Sequence, residues 1–354
     1  MKHSRYPLAP WLAAISITVS VSSASSAAYA QSTANAPATG AATAGAATAG
    51  AATAGAATAG AATAEGLQQL LNTELARFPG RAGVWVKQLT TGVEAGVLAD
   101  ASFNSASVIK IPVLMLAMQM VDAGTISLAE RHTLTAADIR GGSGIFKFHD
   151  AGLQPTFRDV LLQMVITSDN TATDIAIAKV GGVARVNAWL RTNGYGDALH
   201  LTQTTADLFA KYAPLAAGEA SNAKTNGDRA YWLGAMTPHA TGQLLESIQR
   251  CSDGTATGPT VASKAQCSDM LRMLRAQQSG ARRLPHFLNV AVAHKTGDFA
   301  PVLANDVGII FAKSGPIVVS FFGNAITGPY GDAEDAIGRM AQKVVEYFDA
   351  GTPR

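Results

Sequence analysis

A Ser-x-x-Lys pattern, formed by Ser107 and Lys110, opens a long apolar run from Ile111 to Val121. The run is too long for a typical strand, and Pro112 fits a helix only in its first turn. We therefore predict a buried helix with Ser107 at its N-terminus, where free N–H groups favour a developing negative charge. Lys110 then lies one turn further on, on the same face, and can act as a base if burial lowers its pKa. Alone, the pattern is expected about once by chance in a chain of this size, and it then more often marks a helix-capping serine followed by a solvated lysine.

The N-terminal segment has the three parts of a secretory signal. Lys2, His3 and Arg5 are basic, an apolar stretch follows, and Ala28-Tyr29-Ala30 fits the small-x-small cleavage pattern. We predict that residues 1–30 are a signal peptide cleaved near Ala30, which sends the protein to the periplasm or the medium and leaves no membrane span. The alternative is a membrane anchor, for which the apolar stretch is short.

A low-complexity repeat follows the signal segment. Ala41 to Gly60 reads Ala-Ala-Thr-Ala-Gly four times, and Ala61 to Glu65 is a degenerate fifth copy. Such a segment has no large side chain, so it cannot bury enough apolar area to offset the entropy lost on ordering. We predict a flexible linker over residues 31–64. The alternative is a silk-like stacking segment.

The rest of the chain, residues 65–350, is long enough for one large domain or two closely packed lobes. The formal net charge of the whole chain is only +2, and no basic cluster stands out. We therefore expect neither nucleic acid nor an anionic membrane surface as a partner, and we expect a monomer.

The chain has two cysteines, Cys251 and Cys267, separated by a loop-like stretch rich in Gly, Ser and Thr. Export permits a disulfide, and an even count fits one, which would stabilise the fold by about 3 kcal/mol. The alternative is two separate buried thiols.

Hydrophobic periodicity gives an element order. Helices are expected over 66–77, 157–167, 174–179, 183–191, 241–250, 268–277 and 332–348, and strands over 83–88, 92–98, 290–295, 306–312 and 316–322. Thr156 and Thr171 are the expected caps of the second and third of these helices. The segment from Gly194 to Pro238 reads as a long irregular loop, which is usually functional or disordered. We predict an α+β fold: one five-stranded antiparallel sheet flanked by the terminal helices, with the middle helices forming a second, all-helical lobe.

Two further motifs follow the Ser-x-x-Lys pattern. Ser168-Asp169-Asn170 stands in a turn between two expected helices, and Lys295-Thr296-Gly297 ends an expected strand. Each tripeptide alone is an ordinary helix cap or strand end. Together and in this order, they resemble the class A β-lactamase and penicillin-binding-protein family of serine hydrolases. The resemblance covers about 65–350 and implies the β-lactamase/transpeptidase-like fold.

The resemblance, together with ordinary side-chain chemistry, gives each motif residue an expected role. Ser107 would attack a carbonyl and become acylated, while Lys110 would accept its proton. Ser168 would relay a proton to the leaving nitrogen, and Lys295 would lower the pKa of nearby hydroxyls by its charge. The substrate-binding residues are expected to be Asn170, Thr296, Gly297 and Asp298. Backbone N–H groups of Ser107 and Asp298 would form the oxyanion hole.

The sequence departs from the family pattern in two places. The family's β-lactamases use a glutamate on the Ω-loop to hydrolyse the acyl-enzyme, but this chain has no glutamate between Glu130 and Glu219. Asp207 lies near the expected spacing and is a candidate substitute, whereas the alternative for it is a helix cap or a solvated charge. Asp298 stands where the family usually has a small or neutral residue, and its charge would disfavour a substrate carboxylate. No arginine is evident on the last strands to pair with such a carboxylate.

No metal or other cofactor is expected. The histidines show no paired ligand spacing, and His294 is expected to face away from the cleft by strand alternation. The leading hypothesis is an exported serine β-lactamase that opens β-lactam rings through a Ser107 acyl-enzyme. A second is a related D,D-peptidase or esterase with slow lactam turnover, acting on a peptidoglycan-like or ester substrate. A third is a sensor or binding module that is acylated and stays so.

Overall fold

The computed structural model describes residues 62–258 and 260–350. The signal peptide predicted at residues 1–30 and nearly all of the linker predicted at 31–64 lie outside these residues. The first described residues belong to the fold, because Thr63 caps the first helix and its N–H donates to Tyr347 Oη at 2.8 Å. The last, degenerate copy of the repeat therefore ends inside the fold.

The main sheet has five antiparallel strands, as the sequence predicted: β1 (Arg81–Gln88), β2 (Glu94–Val97), β6 (Val292–Phe299), β7 (Leu303–Ala312) and β8 (Gly315–Asn324). Their order in the sheet is β2-β1-β8-β7-β6. A second sheet, which the sequence analysis missed, has the order β3-β5-β4 and consists of β3 (Phe103–Asn104), β4 (His200–Leu201) and β5 (Gly234–Met236).

The described part of the chain also forms α-helices on both sides of the main sheet. They are α1 (Ala64–Leu75), α2 (Lys110–Asp122), α3 (Phe157–Ile166), α4 (Asn170–Lys179), α5 (Gly182–Thr192), α6 (Thr205–Tyr212), α7 (Glu219–Gly227), α8 (Pro238–Asp253), α9 (Lys264–Arg275) and α10 (Tyr330–Asp349). None of them is long and apolar enough to cross a membrane.

Two buried clusters hold these layers together. One lies between the sheet and the terminal helices α1 and α10, and includes Leu71, Val84 and Ile337. The other joins the opposite face of the sheet to the helical lobe, and α2 runs through it with Leu114 and Met118 fully buried. The predicted α+β architecture is therefore confirmed, and the apolar run after Lys110 is the central helix of the lobe.

Two local predictions were wrong. The helix expected to begin near Asp174 with Thr171 as its cap begins at Asn170, because the Asp169 carboxylate accepts a hydrogen bond from Ala172 N and caps it. The region from 194 to 238 is not one irregular loop, since it contains β4, β5, α6 and α7. The short length of these elements explains why no hydrophobic period marked them.

Cys251 near the end of α8 and Cys267 in α9 form a disulfide, with Cα atoms 5.9 Å apart. The bond links two helices that also pack against each other, and both sulfur-bearing side chains are buried.

Candidate active site

Ser107 lies in a short 3-10 turn, Ala106–Ile109, that leads directly into α2. The first N–H groups of such a turn have no partner within the helix, so the Ser107 N–H is free to point at a ligand. Ala106 has a positive φ of 41°, which is uncommon for a residue with a side chain and is typical of functional turns. This strained residue, next to Ser107, gave no signal in the sequence.

Asn305 holds the segment that precedes Ser107. Its side chain is fully buried in β7, and its Nδ2 donates to Asn104 O at 2.9 Å and to Ser105 O at 3.1 Å. Gly297 of β6 lies against the same segment, because a Cβ there would stand 2.5 Å from Ser105 O and 3.2 Å from Ser107 N. Gly297 therefore allows β6 to approach Ser107 closely, while Asn305 was missed by the sequence analysis.

Lys110, Ser168, Asn170 and Lys295 meet beside Ser107. Lys110 Nζ donates to Ser168 O at 2.7 Å, to Ser168 Oγ at 3.1 Å and to Asn170 Oδ1 at 3.1 Å. Lys295 Nζ donates to the same Ser168 Oγ at 3.0 Å. The Ser168 hydroxyl thus bridges two lysines that come from different layers of the fold.

Both lysine side chains are fully buried, and burial is the main cause of their altered acidity. Burial and the charge of Lys295 lower the pKa of Lys110 well below its usual value. Burial lowers the pKa of Lys295 to about 8, although the charges of Asp298 and Asp306 oppose the change. A lysine with a lowered pKa can be neutral and basic near neutral pH, which is what proton removal from a serine requires.

Asp169, the central residue of its motif, fixes the turn that carries Ser168. Its carboxylate accepts hydrogen bonds from Ile145 N and Phe146 N at 2.7 Å and from Ala172 N at 2.8 Å. Ser168 itself has a positive φ of 54°. The carboxylate therefore joins this turn to the neighbouring 141–146 segment and keeps a strained residue in place.

Thr296 is not among the lining residues of the cleft, so its expected part in substrate binding stays a prediction. The side chain is fully buried, and its hydroxyl lies 2.8 Å from Ser279 Oγ. Successive side chains of a strand point to opposite faces, so His294 points away from Lys295, as expected. His294 accordingly pairs with Asp306, with Nδ1 and Oδ1 2.8 Å apart.

Asp207 lies outside the cleft lining, which removes the geometric basis for its suggested part in deacylation. It is the third residue of α6, where its carboxylate accepts a 2.6 Å hydrogen bond from the Thr204 hydroxyl in a reciprocal capping box. The side chain is exposed. Asp207 thus fulfils the open alternative of a helix cap.

The cleft has a volume of about 550 Å³, and its walls differ in character. Ser107, Ser168 and Asn170 line one side, while Asp298 and Phe299 lie at the end of β6. The facing wall comes from α6, α7 and the segments around them, and its larger apolar and aromatic members are Leu208, Phe209, Tyr212, Leu215, Tyr231 and Leu233. Thr205 on this wall contacts a motif residue, since its hydroxyl donates to Asn170 O at 3.2 Å.

Arg283 and Tyr330 at the end of β6 were also missed. Arg283 Nη2 donates to Asp298 Oδ1, and Tyr330 Oη donates to the same oxygen at 3.2 Å. Arg283 comes from the segment after α9 rather than from a late strand, so inspection of the strands alone could not find it. Within the described residues, no group of three or more His, Cys, Asp or Glu side chains is placed to hold a metal ion.

Comparison with known proteins agrees with this geometry. The sequence model described as the β-lactamase enzyme family matches residues 64–348. The chain is 27% identical over 228 residues to β-lactamase VEB-1 of Pseudomonas aeruginosa, which covers 62% of this chain and 69% of that protein.

Two solved structures show the same fold. A β-lactamase from Chitinophaga pinensis has a TM-score of 0.68 and 26% identity, covering 80% of this chain and 99% of that one. A β-lactamase from Sphaerobacter thermophilus has a TM-score of 0.66 and 25% identity, covering 82% and 99%. The chain therefore belongs to the β-lactamase enzyme family and is a serine hydrolase of the class A β-lactamase type.

Proposed function

We propose that this protein opens β-lactam rings through an acyl-enzyme on Ser107 and releases the acyl group slowly. The single observation that carries the proposal is the Ser168 hydroxyl, which lies 3.1 Å from Lys110 Nζ and 3.0 Å from Lys295 Nζ beside Ser107. Such a bridge provides a path for protons between a base and a leaving group, which nucleophilic acyl transfer requires.

Acylation uses the polar side of the cleft. Lys110, whose pKa is lowered by burial and by the charge of Lys295, takes the proton of the Ser107 hydroxyl as its oxygen attacks the lactam carbonyl. The backbone N–H groups of Ser107 and Asp298 stabilise the negative charge that develops on the carbonyl oxygen. Ser168 then gives its proton to the lactam nitrogen as the C–N bond breaks, and the proton that Lys110 accepted returns to Ser168 Oγ.

Deacylation is the slow step in this proposal. Hydrolysis of the ester needs a base that activates water, and the facing wall offers Thr205, Leu208 and Phe209 in its place. Asp298 is the one carboxylate among the lining residues that the structure describes, and it is engaged by Arg283. The loss of a general base slows such a step by about two to four powers of ten.

A slow-releasing site also suits a D,D-peptidase or esterase, the second candidate. The observation that favours it is Asp298, whose charge at the cleft mouth repels the carboxylate that penicillins carry. An acylated sensor needs a signalling partner, for which the described residues provide no evidence.

We further propose that residues 1–30 are a signal peptide, that residues 31–64 are mainly a flexible linker, and that the mature protein is an exported monomer, periplasmic or secreted. The basic start, the apolar stretch and the cleavage pattern at Ala30 support export. N-terminal sequencing of the processed protein would test it, with a start at Gln31 expected.

The proposed chemistry is tested by labelling with benzylpenicillin and with a fluorophosphonate, followed by peptide mapping. We expect both reagents to modify the peptide that contains Ser107. Modification elsewhere would overturn the assignment of the nucleophile. Rapid cleavage of simple esters without any penicillin adduct would instead establish an esterase.

A further inference from the structure

Asp298 lies at the mouth of the cleft, one residue beyond the Gly297 that contacts the Ser107 segment. Its side chain is 42% exposed, although its carboxylate is held by groups beneath it. Lys110 and Lys295 are fully buried, so no lysine or arginine is among the side chains described as lining the cleft. The charge that an incoming substrate meets at this edge is therefore negative.

Arg283, beneath Asp298, is only 2% exposed. Three hydrogen bonds hold the Arg283 guanidinium without involving Asp298. Nε donates to Glu334 Oε1 at 3.1 Å, Nη1 to Asn305 O at 2.9 Å, and Nη2 to Tyr330 Oη at 2.9 Å. The fourth goes from Nη2 to Asp298 Oδ1. The guanidinium is thus immobilised, with Nη2 directed toward the cleft edge.

Tyr330 completes this arrangement. Its hydroxyl lies 3.2 Å from Asp298 Oδ1 and 2.9 Å from Leu303 O. A fixed guanidinium N–H and a phenol beside it form the donor pair that binds a carboxylate well. In this protein the carboxylate of Asp298 occupies the position between Arg283 and Tyr330.

We propose that Asp298 is a specificity-determining residue whose carboxylate occupies an anion position formed by Arg283 and Tyr330, and so disfavours substrates that carry a carboxylate at this edge of the cleft relative to neutral ones. The inference rests on the proposed acyl transfer at Ser107. It deepens that function by naming the preferred substrate class: acyl compounds that are neutral at this end, such as esters of penicillins. Removal of the Asp298 side-chain charge should open the position to an external carboxylate.

The test compares Asp298→Ser with the wild-type protein on two compounds, benzylpenicillin and its methyl ester. The two have the same reacting lactam and differ at one group, which is a charged carboxylate in the acid and a neutral methyl ester in the other compound. The measured quantity is the second-order rate constant of acylation for each compound, and the decisive number is the ratio of acid to ester. We expect this ratio to rise at least tenfold in Asp298→Ser.

Asp335→Ser is the matched control. Asp335 is also an aspartate paired with an arginine, since its Oδ2 lies 2.8 Å from Arg282 Nη2, but it is not among the lining residues of the cleft. The Asp335→Ser substitution removes one negative charge, as Asp298→Ser does, and the acid-to-ester ratio of acylation rate constants should stay unchanged. Asp298→Asn, which keeps the shape and one acceptor, should raise the ratio by less than Asp298→Ser. An unchanged ratio in both Asp298 variants, with acylation intact, would overturn the inference.

A second measurement keeps the inference separate from the proposed function. If neither compound acylates any of the proteins, the proposed function fails, and equilibrium binding of phenylacetate decides the inference alone. Phenylacetate has a carboxylate and no lactam. We expect Asp298→Ser to bind it at least tenfold more tightly than the wild-type protein, and to lose most of that gain when Tyr330→Phe is added. Equal binding by wild type and Asp298→Ser would contradict the occupied anion position.

Discussion

The two sides of the cleft differ in what they can do. The side formed by α2, the start of α4 and β6 carries Ser107 and, behind it, two buried lysines that share the Ser168 hydroxyl. The opposite side, formed around α6 and α7, carries Leu208, Phe209 and other apolar groups. The first side carries the groups that the proposed acylation uses, whereas the second has no carboxylate among the lining residues that the structure describes.

In the proposed mechanism, forming an acyl-enzyme and hydrolysing it therefore depend on separate parts of the fold. Asp174 holds the opposite wall in position, although it is not among the lining residues of the cleft. Its carboxylate accepts hydrogen bonds from Thr205 N at 2.7 Å and Ala206 N at 3.0 Å, so the start of α6 is held against α4. The wall is therefore well placed to hold a base, but the residue that stands there is Thr205.

The largest effect is expected for Ser107→Ala, which removes the nucleophile of the acylating side. Covalent labelling by β-lactams and fluorophosphonates should be abolished, as judged by intact mass spectrometry. Ser268→Ala, at an exposed serine of α9, is the control and should label like the wild type. Labelling that persists in folded Ser107→Ala would place the nucleophile elsewhere.

Lys295→Ala should lower the rate of acylation by about a hundredfold or more, a typical cost for losing an acid–base group. The pH profile adds a sharper readout. We expect the charge of Lys295 to assist the Ser168 hydroxyl that it contacts, so its pKa of about 8 predicts that the rate falls as pH rises through about 8. Lys295→Arg keeps its charge to much higher pH, so the alkaline fall should disappear from its profile. If the acylation rate of Lys295→Arg fell with rising pH as it does in the wild type, the titrating group would be a residue other than Lys295.

Thr205→Glu should give the inert wall a base. The side chain of Thr205 lines the cleft next to Asn170, so a carboxylate there can reach water beside the acyl group. We expect release of the penicilloyl group to accelerate by roughly ten- to a hundredfold, within the range of general base catalysis. Thr205→Gln is the control of equal size without the charge. Equal release rates in the two variants would show that the wall is not where deacylation fails.

The smallest effect is expected for Asp207→Ala. The capping box at the start of α6 predicts a loss of about 1 kcal/mol in the free energy of unfolding, with release of the acyl group unchanged. Asp159→Ala disrupts the equivalent box with Thr156 at the start of α3 and should cost a similar amount. A persistent adduct in Asp207→Ala, set against fast release by the wild type, would return Asp207 to the mechanism.

Prediction from sequence succeeded where the signal was local or periodic. Thr156 begins α3 as a capping serine or threonine should, and the late apolar segments 306–312 and 316–322 gave most of β7 and β8. It failed for α7, whose sequence Glu219–Gly227 has one fully buried residue, Thr225, and so no apolar stripe to recognise.

The chemistry was predictable to a similar extent. Three short motifs identified Ser107, Lys110, Ser168, Asn170 and Lys295, which the fold brings together. The partner of Asp298 was not predictable, because Arg283 is reached only through the tertiary packing of the segment after α9. The burial of Thr296 also escaped, since its neighbour Ser279 lies outside the strand.

Intact mass spectrometry of the protein mixed with excess benzylpenicillin, followed over time, tests the central claim most directly. The account predicts one penicilloyl adduct per molecule that forms early, followed by release so slow that the adduct remains the main species while free penicillin persists. The contradicting result is consumption of many equivalents of penicillin with no adduct detectable at any time.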